Sequence, residues 1–199
     1  MNRLESLLRQ IAALFGGQDP RWALVGGLAV SVRTEPRFTR DLDLAMAVSD
    51  DREAEAFIHR LRNAGFRVLA IVEQEAAHRL ATARLAVPED EPQGLMLDLL
   101  FASSGIEQEV CANAELMQVF PGLVVPVARL HHLIVLKTLA RDDRTRPQDA
   151  GDLRQLIAAA APTELDAARD AARLIEQRGF NRSRDLVEAV SRAWQEFRP

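Results

Sequence analysis

Two aspartates separated by one leucine, Asp41-Leu42-Asp43, open a run that is otherwise apolar to Val48. In an extended strand, residues two apart face the same side. Both carboxylates therefore project together, while Leu42 and Leu44 turn inward. The segment predicts a strand over 41–48 with one face in a core and the other on a polar site. Two adjacent like charges repel unless something positive lies between them. Mg2+, or Mn2+ in its place, meets that need by taking carboxylate oxygens together with phosphate oxygens of a substrate. A third carboxylate, Asp98, sits in the middle of the apolar stretch Leu95–Phe101. An aspartate there is costly if buried alone. If its strand pairs beside 41–48, Asp41, Asp43 and Asp98 converge on a site for one or two metal ions, the arrangement that serves in-line phosphoryl chemistry. Asp98 is then the best-placed proton acceptor.

Upstream, Trp22–Val25 reads as a short buried strand running into Gly26-Gly27 and a short helix that stops near Glu35-Pro36. Glycines at that junction let backbone amides approach phosphate oxygens, and the helix N-terminus adds a favourable dipole. Arg33, Arg37 and Arg40 follow, placed either as solvated side chains or to neutralise a polyphosphate. Lys137 is the only lysine among 25 basic residues. An ammonium is a compact point charge where a guanidinium is a planar fork, so a tight phosphate pocket can require it.

The remaining composition bounds the class. The 199 residues are 48% hydrophobic and 27% charged, and the net charge is −4. That is globular, and it excludes a polycationic nucleic-acid coat while leaving room for a local basic cleft. One cysteine, Cys111, excludes an internal disulfide and a multi-cysteine zinc site. No apolar run reaches the ~18–20 residues of a membrane span, and the start has no leader-like apolar stretch. A cytoplasmic protein with no membrane partner is the expectation. The four histidines have no metal-ligand spacing, and His131-His132, being adjacent, face different sides of a helix.

Helical spacing covers residues 2–15, ended by Gly16-Gly17, and a second helix runs from Asp50-Asp51 to Ala64. Strands are expected over 66–72, 78–87 and 95–101, with an acidic turn at 88–94 and a hairpin around Pro121-Gly122. From about Pro126 the pattern is helical, over 128–142, 147–160, 163–178 and 183–197. Thr163-x-x-Asp166 resembles a capping box and Ser183 is placed to cap the last helix. The change of pattern suggests two units, 1–125 and 126–199.

Strand, Gly26-Gly27, thirteen residues, Asp41-x-Asp43 on the next strand and a distant Asp98 together resemble the nucleotidyltransferase superfamily of the DNA polymerase β type. The stretch Lys137-Thr138-Leu139-Ala140-Arg141, then Arg146, Asp149 and Asp152-Leu153, is similar to the helical motifs of AbiEii-type abortive-infection proteins, often the toxin half of a toxin–antitoxin pair. The resemblance implies an α/β (α+β) fold, with a mixed sheet and flanking helices followed by a C-terminal helical bundle. It also implies transfer of a nucleoside monophosphate from an NTP, ATP among them, to an acceptor hydroxyl. In these terms Asp41, Asp43 and Asp98 hold the metal, and Gly26, Gly27, Arg40, Lys137 and Arg141 meet the nucleotide. Either Asp149 or Asp152 is the family's second-motif aspartate, with Asp152 in the better-matching Asp-Leu step. Many members carry serine after the first glycine, whereas Gly27 offers its backbone alone.

RNA and protein are the acceptors the resemblance favours, with a cognate antitoxin as partner. An antibiotic nucleotidyltransferase acting on an aminoglycoside shares the same core, and a cationic antibiotic would call for an acidic acceptor pocket. A non-catalytic binding module of this fold would be marked by loss of a carboxylate, and all three are present. A phosphatase of the Asp-x-Asp-x-Thr kind needs threonine where this chain has Ala45.

Overall fold

A computed structural model of the chain describes residues 3–16, 21–74, 78–88, 94–142, 144–145 and 147–198. Gly17, residues 89–93 of the acidic turn expected over 88–94, and Arg146 lie outside the described residues.

The elements are α1 (Arg3–Phe15), β1 (Trp22–Val25), α2 (Gly26–Arg33), β2 (Asp41–Met46), α3 (Asp51–Asn63), β3 (Arg67–Gln74), β4 (Arg79–Ala86), β5 (Met96–Leu100), α4 (Glu107–Ala112), β6 (Glu115–Phe120), β7 (Leu123–Val127), α5 (Leu130–Ala140), α6 (Pro147–Ala159), α7 (Pro162–Gln177) and α8 (Leu186–Phe197). The seven strands form one mixed sheet in the order β3-β4-β5-β2-β1-β7-β6. Pairing is parallel between β2 and β5 and between β1 and β7, and antiparallel elsewhere.

The alternation that the sequence predicts in β2 is present. Leu42 and Leu44 are fully buried, and Asp41 and Asp43 are half-buried on the other face. Trp22 closes the core beneath β1, its indole N–H donating to the Gly16 carbonyl at 2.9 Å. Trp194 and Phe197 anchor α8 in the same buried cluster, which runs from Leu4 to Phe197. Strands give way to helices after Val127, and α2 packs against both α5 and α6.

Three local expectations change. Helix α7 begins at Pro162 with Ala161 as its unassisted cap, rather than through a Thr163 capping box. Proline has no N–H to leave unsatisfied and its φ is already helical, so it fixes the start one residue earlier. Helix α8 is capped by Asp185, whose carboxylate accepts from the Glu188 amide at 2.9 Å. Ser183 instead adopts a left-handed φ of 58° in the turn before it. The short α4 is absent from the sequence expectations, since six residues give no readable period.

Candidate active site

A single row of paired residues crosses five strands. Val25 of β1 is opposite Asp43 of β2, Asp43 opposite Asp98 of β5, Asp98 opposite Arg84 of β4, and Arg84 opposite Ala70 of β3. Registry alone thus brings Asp98 beside Asp43, with Asp41 two residues along the same strand face. All three carboxylates line one cleft of about 500 Å3, together with Gly26, Gly27 and Lys137.

The Gly-Gly turn is held tight by what approaches it. Gly26 has a φ of 65°, and a β-carbon there would fall 1.9 Å from Oδ2 of Asp43. Its backbone lies directly against that carboxylate, so glycine is required on two counts. At Gly27 a β-carbon would meet Nη2 of Arg37 at 2.6 Å. Helix α2 starts at this turn with no side-chain cap. Its first N–H groups therefore lack intrahelical partners and open on the cleft, as in sites that bind anions at helix N-termini.

Asp98 is buried, and both its oxygens accept from Arg84, at 2.8 Å from Nε and 2.6 Å from Nη2. The Asp98 hydrogen bond, followed by the attraction of Asp98, Asp41 and Asp43, holds the Arg84 guanidinium pKa above its ordinary value against the opposing effect of burial. In this arrangement no three carboxylate, histidine or cysteine side chains among the described residues close into an ion-binding cluster. Both Asp98 oxygens accept from Arg84, so a proton or an ion at Asp98 would share them with the guanidinium.

Lys137 of α5 is buried between two aspartates of α6, 2.8 Å from Oδ1 of Asp149 and 2.7 Å from Oδ2 of Asp152. Asp152 also accepts two bonds from Arg37, at 2.5 and 2.7 Å. Lysine and the two candidate aspartates thus form one network, and Arg37 ties it to the loop before β2. An ammonium has three N–H groups. One is donated to Asp149, the charge also pairs with Asp152, and the ammonium lines the cleft.

The other arginines separate. Arg33 is a strut, donating to the carbonyls of Val127 and Ala128 and to Glu115. Arg141 follows the end of α5 and turns to α8, bonding Glu196 and stacking on Phe197 at 5.2 Å. It does not share the cleft with Lys137. Arg40 is exposed, its guanidinium 5.5 Å from the Phe38 ring, and lines a neighbouring groove of about 660 Å3 that shares Arg37 and Thr39 with the cleft.

Sequence reasoning missed Arg84 as the partner of Asp98. The available signal was a lone charge in the apolar alternation of 80–87. It also missed the loop after β5, where the amides of Ser103 and Ser104 and the Ser104 hydroxyl donate to buried Glu107. Burial raises the Glu107 pKa against those hydrogen bonds.

Residues 7–199 match the family described as Nucleotidyl transferase AbiEii toxin, Type IV TA system. The chain belongs to the AbiEii family. It is a toxin-type nucleotidyltransferase, an enzyme of nucleotidyl transfer. No curated protein sequence matches it. Among solved structures, it is similar to an antigenic nucleotidyltransferase-like protein from Paracoccidioides brasiliensis, with 18% identity, a TM-score of 0.53, and coverage of 94% of this chain and 90% of that one. It is also similar to the antibiotic-resistance factor ANT(2'')-Ia, with 18% identity, a TM-score of 0.50, and coverage of 99% and 92%. At that identity the likeness shows the nucleotidyltransferase fold. Among the described residues, no helix is long and apolar enough to cross a membrane.

Proposed function

We propose that this AbiEii member transfers a nucleoside monophosphate from an NTP to the terminal hydroxyl of an RNA, with Mg2+ or Mn2+ as cofactor, as a toxin held in check by a cognate antitoxin. The observation that carries the reading is the registry of Asp43 beside Asp98 on the cleft that also receives Gly26 and the uncapped start of α2. The donor chemistry fits a hard divalent cation, because carboxylate oxygens are its preferred ligands. Asp41 and Asp43 would hold the ion, with Asp98 as the third carboxylate. The ion's contribution is Lewis-acid polarisation at the phosphoryl group.

This chain's own residues supply the rest. The amides at Gly26 and Gly27 and the α2 dipole receive phosphate oxygens. Lys137, braced by Asp149 and Asp152, directs its ammonium toward charge developing on the departing pyrophosphate. Arg37 and Arg84 hold their aspartates in place.

RNA is favoured over the other acceptors by Phe38, which is 79% exposed beside the cleft under the Arg40 guanidinium. An exposed ring flanked by arginines suits a stacked base and a phosphate backbone. Arg40 and Arg37 are the wrong sign for a cationic antibiotic. The division into units 1–125 and 126–199 remains part of the proposal, although that boundary falls inside β7 and the sheet runs on to Val127; the cleft draws Asp43 from the first and Lys137 from the second.

The test is incubation with each α-labelled NTP, Mg2+ and total RNA. The expected result is label on RNA, abolished by EDTA and by Asp41→Ala/Asp43→Ala. Phe38→Ala should raise the RNA KM by roughly 5- to 150-fold, the equivalent of one lost stacking contact. Label on protein alone would overturn the RNA acceptor, and EDTA-resistant transfer would overturn the metal.

A further inference from the structure

Strand β3 ends the sheet. Its inner side pairs with β4, and among the described residues no strand pairs with its outer side. Its five central residues, Val68-Leu69-Ala70-Ile71-Val72, are apolar without a break. Ile71 and Val72 are 52% and 55% exposed. Edge strands are usually defended by lysine, proline or an inward-pointing charge. The centre of β3 has none of these, and its ladder with β4 is irregular at two places, between Val68 and Ala70, where Leu69 is passed over, and between Val72 and Glu73.

The charges of β3 stand at its ends. Arg67 and Glu73 flank the apolar segment symmetrically about Ala70, and neither has a side-chain partner among the described residues. This strand is its own electrostatic complement when read in the opposite direction. An antiparallel pair centred on Ala70 sets Arg67 against Glu73, Val68 against Val72, and Leu69 against Ile71, each twice. Sliding the register by two residues in one direction puts Arg67 against Ile71, and in the other puts Glu73 against Leu69. Opposite charges directly across a ladder stabilise it, and a charge facing an apolar residue does not.

We propose that β3 pairs antiparallel with β3 of a second copy of this chain, about a two-fold axis at Ala70, joining the two seven-stranded sheets. Such a contact is isologous and closes after two copies. Between α3 and β3 runs a groove of about 680 Å3, lined by apolar side chains such as Ile58, Val68 and Ile71 and equally by charged ones, Arg67 and Glu73 among them. The partner's apolar side chains on that face cover it. An eight-residue strand is about 26 Å long, a short edge by the standard of stable interfaces, so the dimer forms with rising concentration. The inference is independent of the catalytic reading. Even so, Ala70 lies on the same row as Arg84, one strand from the cleft.

Sedimentation or light scattering over a dilution series tests it. The mass should rise from 22.1 kDa toward twice that value. Ile71→Lys should stay monomeric with an unchanged circular dichroism spectrum. Arg67→Glu and Glu73→Arg should each abolish the dimer at concentrations where wild type is paired, and the double variant Arg67→Glu/Glu73→Arg should regain it. A wild-type mass that stays at one chain at the highest soluble concentration overturns the proposal. So does a dimer indifferent to Ile71→Lys, or a double variant that fails to regain what the single reversals lost.

Discussion

Replacing Lys137 with methionine removes one positive charge from a buried cluster and nearly preserves side-chain volume. Lys137 is the ammonium between Asp149 and Asp152, both of which are almost wholly inaccessible. In the variant Asp152 keeps its two bonds from Arg37, whereas Asp149 loses the ammonium that neutralises it. Breaking a buried ion pair by deleting one partner costs about 3–5 kcal/mol, because the remaining charge stays in a low dielectric. For a chain of 150–250 residues each kcal/mol moves the melting temperature by about 2–4 °C, so the fall should be roughly 6–20 °C. Calorimetry or a urea melt reads it directly. The second variant, Lys137→Met/Asp149→Leu, takes away both members and should recover most of the loss. A melting temperature for Lys137→Met within about 2 °C of wild type would refute the argument, as would a double variant less stable than the single one. Transfer activity should disappear in both, since neither keeps an ammonium in the cleft. That separates the structural from the catalytic share of the same lysine.

Two further outcomes follow from the geometry. Gly26→Ala sets a β-carbon where Oδ2 of Asp43 lies and imposes a left-handed φ on alanine; displacing that carboxylate by about 1 Å should cost about 100-fold in kcat, measured beside an intact circular dichroism spectrum. His132 is buried, and burial, then the neighbouring His131, lower its pKa from 6.5 to about 3. Its neutral form is thus favoured by the fold; the stability it permits is complete above pH 6.5 and declines by about 1.4 kcal/mol per pH unit as acid charges the unfolded chain. Glu107, with a raised pKa, works in the opposite direction, so the difference between wild type and His132→Leu is the quantity to measure. Between pH 7 and 4 the urea midpoint of wild type should fall more steeply than that of His132→Leu, and parallel curves would contradict the assignment.

Much of the cleft was legible because its signals are local. The alternation in Asp41–Leu44 gives both the strand and its two faces, and Gly26-Gly27 after an apolar strand gives the turn. Asp98 drew notice as a charge among leucines. The AbiEii resemblance named Lys137 with Asp149 and Asp152, and all three meet. What stayed hidden depends on pairing between distant segments. Arg84 faces Asp98 only because β4 and β5 share one register, and nothing within 79–86 specifies that partner. Arg37 and Asp152 are 115 residues apart, and their bond exists because α6 packs on α2. The resemblance set Lys137 and Arg141 together on the nucleotide, but the helix ends at Ala140 and the chain turns Arg141 toward α8.

The electrostatics of the sheet row connect these findings to the chemistry. Asp41, Asp43 and Asp98 bring three carboxylates to one face, and Arg84 brings one guanidinium bound to Asp98 at both oxygens. Counting formal charges, the row together with Asp41 is two negative charges from neutrality, the charge of one divalent cation. The lysine network on the opposite wall has its own balance, with Asp149 and Asp152 against Lys137 and Arg37. Each wall therefore carries fixed internal pairs that orient its side chains without solvent reorganisation, the condition under which electrostatic stabilisation of a transition state is largest. The Gly26-Gly27 turn joins the two walls, touching Asp43 on one side and Arg37 on the other. A side chain at either glycine would push apart the two halves of the cleft. Of the two, Gly26 is the position that requires glycine, because its φ is left-handed and the whole Asp43 carboxylate lies where a β-carbon would stand.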